Sequence, residues 1–284
     1  MSYRFIEVQR VTVNIGGMVG GVDLSKPQAP EVYEEIKQAL WDHQVLFFRD
    51  QPLTPDSHVA LAAAFGDLET HEVFDHVDGY PCLSIIENDE NRPPNINFWH
   101  TDVTFREAPT LASILHGIDV PESGGDTLWL SQQAAFEGLS DNMKEILLPL
   151  QAEHDGMRAY RNSRLLREAG EERAKALAAM QPSVHPVVVR HPFTGRPGLF
   201  VNPTFTTRLI GFSRSESAAL LQMLFDHMQK PEYQVRFKWQ ANSIAMWDNV
   251  ATQHYAVADY FPQRRSMRRI VVSGMRPVAW KVAA

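Results

Sequence analysis

From Cys82 to Ser131, and again from Gln234 to Ser273, apolar residues come in short runs separated by Pro, Gly, Asn and Asp. Such runs are too short to give a helix a buried face, and they suit β-strands. Strands are expected at Cys82–Ile86, Phe98–Phe105, Leu111–Ile118, Thr127–Leu130, Gln234–Trp239, Ser243–Trp247 and Arg268–Ser273. Helical signals lie around them. Pro30 to Gln44 carries Val32, Ile36, Ala39 and Leu40 at helical spacing, ahead of the buried-strand run Val45–Phe48. Thr54-Pro55-Asp56 opens a second helix that Gly66 stops. Ser213 and Glu216 form a capping box ahead of Leu220, Leu221, Leu224 and Met228. Val187–Val189 and Leu199–Val201 read as a hairpin about Thr194–Gly198, and Ser163–Met180 reads as helix within a helical insertion over about 132–180. The sum is a mainly β chain with flanking helices, a jelly-roll-type sandwich. Without repeat, low-complexity stretch or linker, residues 1–284 are expected to form one domain.

Composition narrows the function. A formal charge of −7 without a block of like charges excludes the broad basic footprint of a nucleic-acid binder, so a small anion would need a local basic pocket. Cys82 is the single cysteine, which excludes an internal disulfide and a Cys-rich zinc site; it reads as a small buried hydrophobe on a strand. The N-terminus lacks a secretory pattern and no apolar run is long enough to span a bilayer, so a cytoplasmic location without membrane partners is expected.

With eleven histidines and 34 acidic residues, a His-x-Asp/Glu match or two is expected by chance, and the chain has two. His76-Val77-Asp78 runs into Gly79 and Pro81, a turn-like context for solvated polar residues. His100-Thr101-Asp102 lies inside Phe98–Phe105, where strand positions i and i+2 share a face. A carboxylate buried there among Trp99, Val103 and Phe105 without a partner would cost several kcal/mol, which points to a cation. Two histidines and one carboxylate form the facial set of non-haem Fe(II) oxygenases, leaving three positions for a chelating cosubstrate and O₂. His254, after Trp247-Asp248-Asn249, is the leading third ligand; the alternative is a surface histidine beside Tyr255. Strand alternation then puts Arg265, Met267 and Arg269 on one face and Arg264 and Arg268 on the other. If the first face is interior, two guanidinium forks enter it, suited to carboxylate, sulfonate or phosphate oxygens.

An ordered series of segments resembles the taurine/2,4-D dioxygenase (TauD/TfdA) family of Fe(II)- and 2-oxoglutarate-dependent oxygenases, its taurine-oxidising members above all. The series is Gly16 with Gly20–Leu24, His43–Gln51, Trp99–Phe105, Gly124–Trp129 and Trp247–Arg269, and the likeness covers nearly the whole chain. It implies a double-stranded β-helix (jelly-roll, cupin-like) core. It implies His100, Asp102 and His254 as iron ligands, Arg265 and Thr127 as the 2-oxoglutarate site, and Arg269 with His71 as the site for the substrate anion. Val103 and Phe205 would be the apolar wall. The implied reaction hydroxylates the carbon next to a sulfonate, taurine or a related alkylsulfonate, giving sulfite, an aldehyde, succinate and CO₂. A homo-oligomer, dimer or tetramer, is also implied.

Five positions at three places depart from that pattern. Asn95-Ile96 stands where an acidic residue and Asn would meet an ammonium group, Phe74 replaces a Tyr, and Ala159-Tyr160 replaces Ser-Phe. Lost polar partners favour a less polar tail. Other small anions remain alternatives, namely an alkyl sulfate ester, an aryloxyalkanoate or another carboxylate, and so does an inactive anion-binding barrel. Residues of about 70–97 are expected to act as a lid loop.

Overall fold

Two sheets face each other across a core built from alternate residues of their strands. The computed structural model describes residues 3–70, 74–160, 175 and 181–281, with backbone alone at 159 and 160. The larger, nine-stranded sheet runs Glu7–Arg10, Gly17–Gly20, Val45–Phe48, Ile244–Asp248, Ala112–Asp119, Arg265–Val272, Tyr80–Asn88 and Asp75–Val77, with Leu68–Glu69 pairing the 265–272 strand. Its pairings are antiparallel except that of Gly17–Gly20 with Val45–Phe48. The facing sheet has Thr127–Ser131 between Gln234–Phe237 and Thr252–Ala256. This is the mainly β jelly-roll core that the sequence predicts.

The run Val45–Phe48 shows why continuous apolarity is needed. Val45 and Phe47 join Leu115, Trp247, Met267, Trp129, Val235 and Trp239 between the sheets. Leu46 and Phe48 point the other way, against Ile36 and Leu40 of helix Pro30–His43 and Leu61 of helix Pro55–Ala63. A strand covered on both faces has no polar side to alternate with. The second helix has the Thr54 cap expected, with Ser57 closing the box, and Ser213–Glu216 caps helix Arg214–Met228. That helix packs Leu221, Leu224 and Met228 on the outside of the smaller sheet.

Five expectations need correction. Phe98–Phe105 is not a strand: it makes a single bridge, His100 to His254, then turns with Val103 at φ 47°. The 132–180 insertion is not all helical. After helices Gln132–Glu137 and Asp141–Leu147 the chain forms strand Gln151–His154, sandwiched between Ser183–Pro186 and Thr206–Leu209, before helix Gly156–Tyr160. Of the segment Ser163–Met180, only Lys175, which is helical, lies within the described residues. The expected 70–97 lid loop contains sheet, because Asp75–Val77 and Tyr80–Asn88 form a hairpin bonded to the 265–272 strand; the stretch from Asp89 to Ile96 carries no strand. His76 therefore sits on a strand and not in a turn. Cys82 is half-exposed on its strand, not buried.

Candidate functional site

Arg265, Met267 and Arg269 do share a face. Met267 lies in the inter-sheet core, while Ile270 and Val272 pack on the outer helices. Both arginines are therefore drawn inside, 5% and 6% exposed, whereas Arg264 pairs at the surface with Glu87 and Asp119. The smaller sheet turns Thr127, on its central strand, and His254, opposite Trp129, toward the same interior.

His100, Asp102 and His254 meet there, one ligand atom from each lying within 4.8 Å of the others. The two Nε2 atoms stand 3.7 and 3.8 Å from Asp102 Oδ1. His100 Nδ1 donates to the Phe98 carbonyl at 3.0 Å, so its proton sits on Nδ1 and the Nε2 lone pair faces Asp102. His254 Nδ1 is buried with no hydrogen-bond partner among the described residues. Burial lowers the pKa of His100, and that of His254 well below the usual imidazole range, where His100 adds to the effect. Burial opposes the charge of Asp102 too. The Arg269 guanidinium at 3.4 Å, the two imidazoles and the Ser113 hydroxyl at 3.0 Å outweigh it and hold the carboxyl below the ordinary range. Neutral imidazoles around an ionised carboxylate are the donor set that a divalent transition metal such as Fe(II) takes.

Arg265 and Thr127 are linked by Trp239. The indole Nε1 donates to Thr127 Oγ1 at 2.9 Å, and the Arg265 guanidinium carbon lies 5.8 Å from the Trp239 ring and 5.8 Å from the Tyr260 ring. Burial pushes the Arg265 pKa down, with Tyr260 and Asp126 opposing. Arg269, whose Nη1 is 3.4 Å from Asp102 Oδ1, lies 5.0 Å from the Phe74 ring centroid. Val103, Phe105 and Phe205 form a separate apolar cluster, and Phe205 stands 6.4 Å from the His100 ring. Ile96 is half-buried in the irregular stretch before Trp99. His71, and the side chain of Tyr160, lie outside the described residues.

The sequence profile of the taurine catabolism dioxygenase TauD, TfdA family matches residues 7–271. The chain belongs to the TauD/TfdA family. It is therefore a 2-oxoglutarate-dependent dioxygenase, and the family's Fe(II) and 2-oxoglutarate fit the donor set and the buried arginines just described. The TauD/TfdA chain is 37% identical to an alkylsulfatase of Acinetobacter baylyi, covering 95% of this chain and 85% of that protein. It is 36% identical to an alpha-ketoglutarate-dependent sulfate ester dioxygenase of Pseudomonas putida, covering 96% and 91%. A solved taurine dioxygenase from Burkholderia xenovorans superposes with a TM-score of 0.84 at 36% identity, covering 97% and 92% of the two chains. No described helix is long and apolar enough to cross a membrane.

Sequence reasoning passed over Ser113, Trp239 and Phe105 as site residues. Only Phe105 had a signal, its place beside Val103 after the His-x-Asp match; Ser113 and Trp239 reach the site through sheet packing.

Proposed function

We propose that this dioxygenase oxidises an alkyl sulfate ester with an uncharged tail at the carbon bearing the ester oxygen. The observation that carries this reading is what surrounds the triad: the Arg269 guanidinium lies 5.0 Å from the Phe74 ring, and beside His100 stands the apolar cluster of Val103, Phe105 and Phe205. An anionic sulfate head and a hydrocarbon tail match that combination, whereas taurine would bring an ammonium group into it. The names of the relatives in Acinetobacter and Pseudomonas favour the sulfate ester among the anions weighed from sequence. The fit to a taurine dioxygenase structure supports an alkylsulfonate as the second reading.

His100, Asp102 and His254 would hold Fe(II), which with 2-oxoglutarate and O₂ supplies the oxidising power to turn C–H into C–OH. Arg265 would fork onto the far carboxylate of 2-oxoglutarate. Thr127 Oγ1 already accepts from Trp239, so its own hydrogen is left to donate to that carboxylate. Arg269 would hold the sulfate oxygens, and Val103, Phe105 and Phe205 would keep water from the carbon to be oxidised. The hydroxylated carbon then sheds its ester oxygen with the sulfate group, giving an aldehyde and inorganic sulfate; a sulfonate would give sulfite instead.

The test supplies Fe(II), 2-oxoglutarate and O₂ with linear alkyl sulfates, uncharged-tail alkylsulfonates, taurine and aryloxyacetates, scoring succinate, sulfate and sulfite. Alkyl sulfates are expected to exceed taurine in kcat/KM by roughly 10- to 100-fold, the equivalent of the ~1–3 kcal/mol that an unpartnered polar group loses. A preference for taurine refutes the reading. Sulfite from uncharged sulfonates, with no sulfate from esters, replaces it with the second.

A further inference from the structure

We propose that Asn249 is a positioning residue for metal binding, whose side-chain amide serves as the missing strand partner of Asp102. The inference rests on His100, Asp102 and His254 being the metal ligands. The bridge that brings the histidines together consists of two backbone bonds, His100 N–H to His254 O at 3.1 Å and His254 N–H to His100 O at 2.8 Å. A continued antiparallel ladder would next set Thr252 opposite Asp102. It does not continue. The Thr252 carbonyl accepts instead from Thr101 Oγ1 at 2.8 Å and Gln132 Nε2 at 3.1 Å, and the chain leaves the extended conformation at Val103.

Asn249 takes up the abandoned groups. Its Oδ1 accepts from the Asp102 N–H at 2.9 Å, and its Nδ2 donates to the Asp102 carbonyl at 3.1 Å. A primary amide offers the donor and acceptor of a peptide unit, so this pair reproduces the two-bond contact a ladder would make. The same Nδ2 reaches Thr110 O and Oγ1, each at 3.0 Å, and the Asn249 backbone N–H bonds Leu111 O at 2.9 Å. Asp102 is thereby tied to the start of the strand that supplies Ser113. Next to Asn249, Asp248 Oδ1 accepts from the Val250 and Ala251 N–H groups, and its Oδ2 lies 2.7 Å from His191 Nε2. The amide is thus presented from a loop held by the turn bonds of Asp248 Oδ1, and the residue is fully buried. Ser113 and Arg269 act on the carboxylate; Asn249 fixes the backbone that aims it.

The test measures Mn(II) affinity from the free-ion electron paramagnetic resonance signal, and the Tm of the metal-free protein. Asn249→Ala is expected to bind Mn(II) about 10- to 100-fold more weakly, the range found when groups supporting metal ligands are removed. Asn249→Asp keeps an acceptor for the Asp102 N–H but faces the Asp102 and Thr110 carbonyls with oxygen, and is expected to lose affinity as well. Leu224→Ala, in the core behind the smaller sheet, lowers Tm with Mn(II) affinity unchanged. The proposal is overturned if either Asn249 variant binds Mn(II) as the parent does, or if Leu224→Ala loses as much. Should the parent bind no Mn(II), or Asp102→Ala bind as well as the parent, the ligand assignment itself fails and the proposal falls with it.

Discussion

Replacing Arg265 with methionine removes a cation that has no acid of its own among the described residues. The side chain is 5% exposed, and its Nε has no hydrogen-bond partner among the described residues. The acid whose charge reaches it, Asp126, is held by Arg236 at 2.6 Å. Two aromatic rings, each 5.8 Å from the guanidinium carbon, are poor substitutes for a carboxylate. Because an uncompensated buried ion costs several kcal/mol and hydrophobic replacements of buried ions can stabilise by about 1–4 kcal/mol, Arg265→Met is expected to leave the ligand-free protein as stable or more stable. Losing the desolvated partner of a carboxylate costs about 2–5 kcal/mol, which is roughly 30- to 5000-fold weaker 2-oxoglutarate binding. Urea unfolding of the Mn(II)-loaded protein, with and without 2-oxoglutarate, reads both effects. At 100 times the parental Kd, the ligand adds about 2.7 kcal/mol to the parent and under about 1 kcal/mol to the variant. Retention of the full gain by the variant would show that Arg265 is not the cosubstrate anchor. A ligand-free variant less stable than the parent by more than about 1 kcal/mol would show that the cation is not isolated.

Acid should destabilise the fold through His58 and His116, whose rings lie 6.0 Å apart behind the large sheet. Burial pushes them down to about 3 and about 4, so the unfolded chain binds their protons first and stability falls as pH drops from about 6.5 toward 4. Each contributes a slope of up to ~1.4 kcal/mol per pH unit, and His58→Gln/His116→Gln should remove most of that sum; an unchanged slope in urea titrations between pH 6.5 and 4.5 counts against it. Gly156→Ala would place a Cβ 2.9 to 3.1 Å from three atoms of the Phe105 ring, forcing the ring to shift. Overpacking of this kind costs about 1–3 kcal/mol, so KM for the tailed substrate should rise by roughly tenfold with a smaller change in kcat; an unaltered KM removes Phe105 from the pocket wall.

The parts of the site set by alternation were legible in the sequence. Alternation put Arg265, Met267 and Arg269 on one face and left open which face was interior; the inter-sheet position of Met267, with Ile270 and Val272 on the outer helices, answers that. Asp102 was placed beside His100 for a reason that does not hold: the segment is no strand, and a side-chain amide supplies its pairing. Side-chain mimicry of a backbone leaves no periodic trace. Strand Gln151–His154 escaped notice because its residues, Gln, Ala, Glu and His, lack an apolar run, even though Ala152 and His154 are buried. Trp239 showed as a strand-ending aromatic, while its bond to Thr127 depends on which sheets face each other.

The two ends of the large sheet bear on how the protein behaves at high concentration. One end is Glu7–Arg10, with Glu7, Gln9 and Arg10 exposed; the other is the three-residue strand Asp75–Val77, with Asp75 exposed. Short borders with charged side chains discourage another chain from extending the ladder. Edge protection of this kind works against strand-by-strand growth from either end of the nine-stranded sheet.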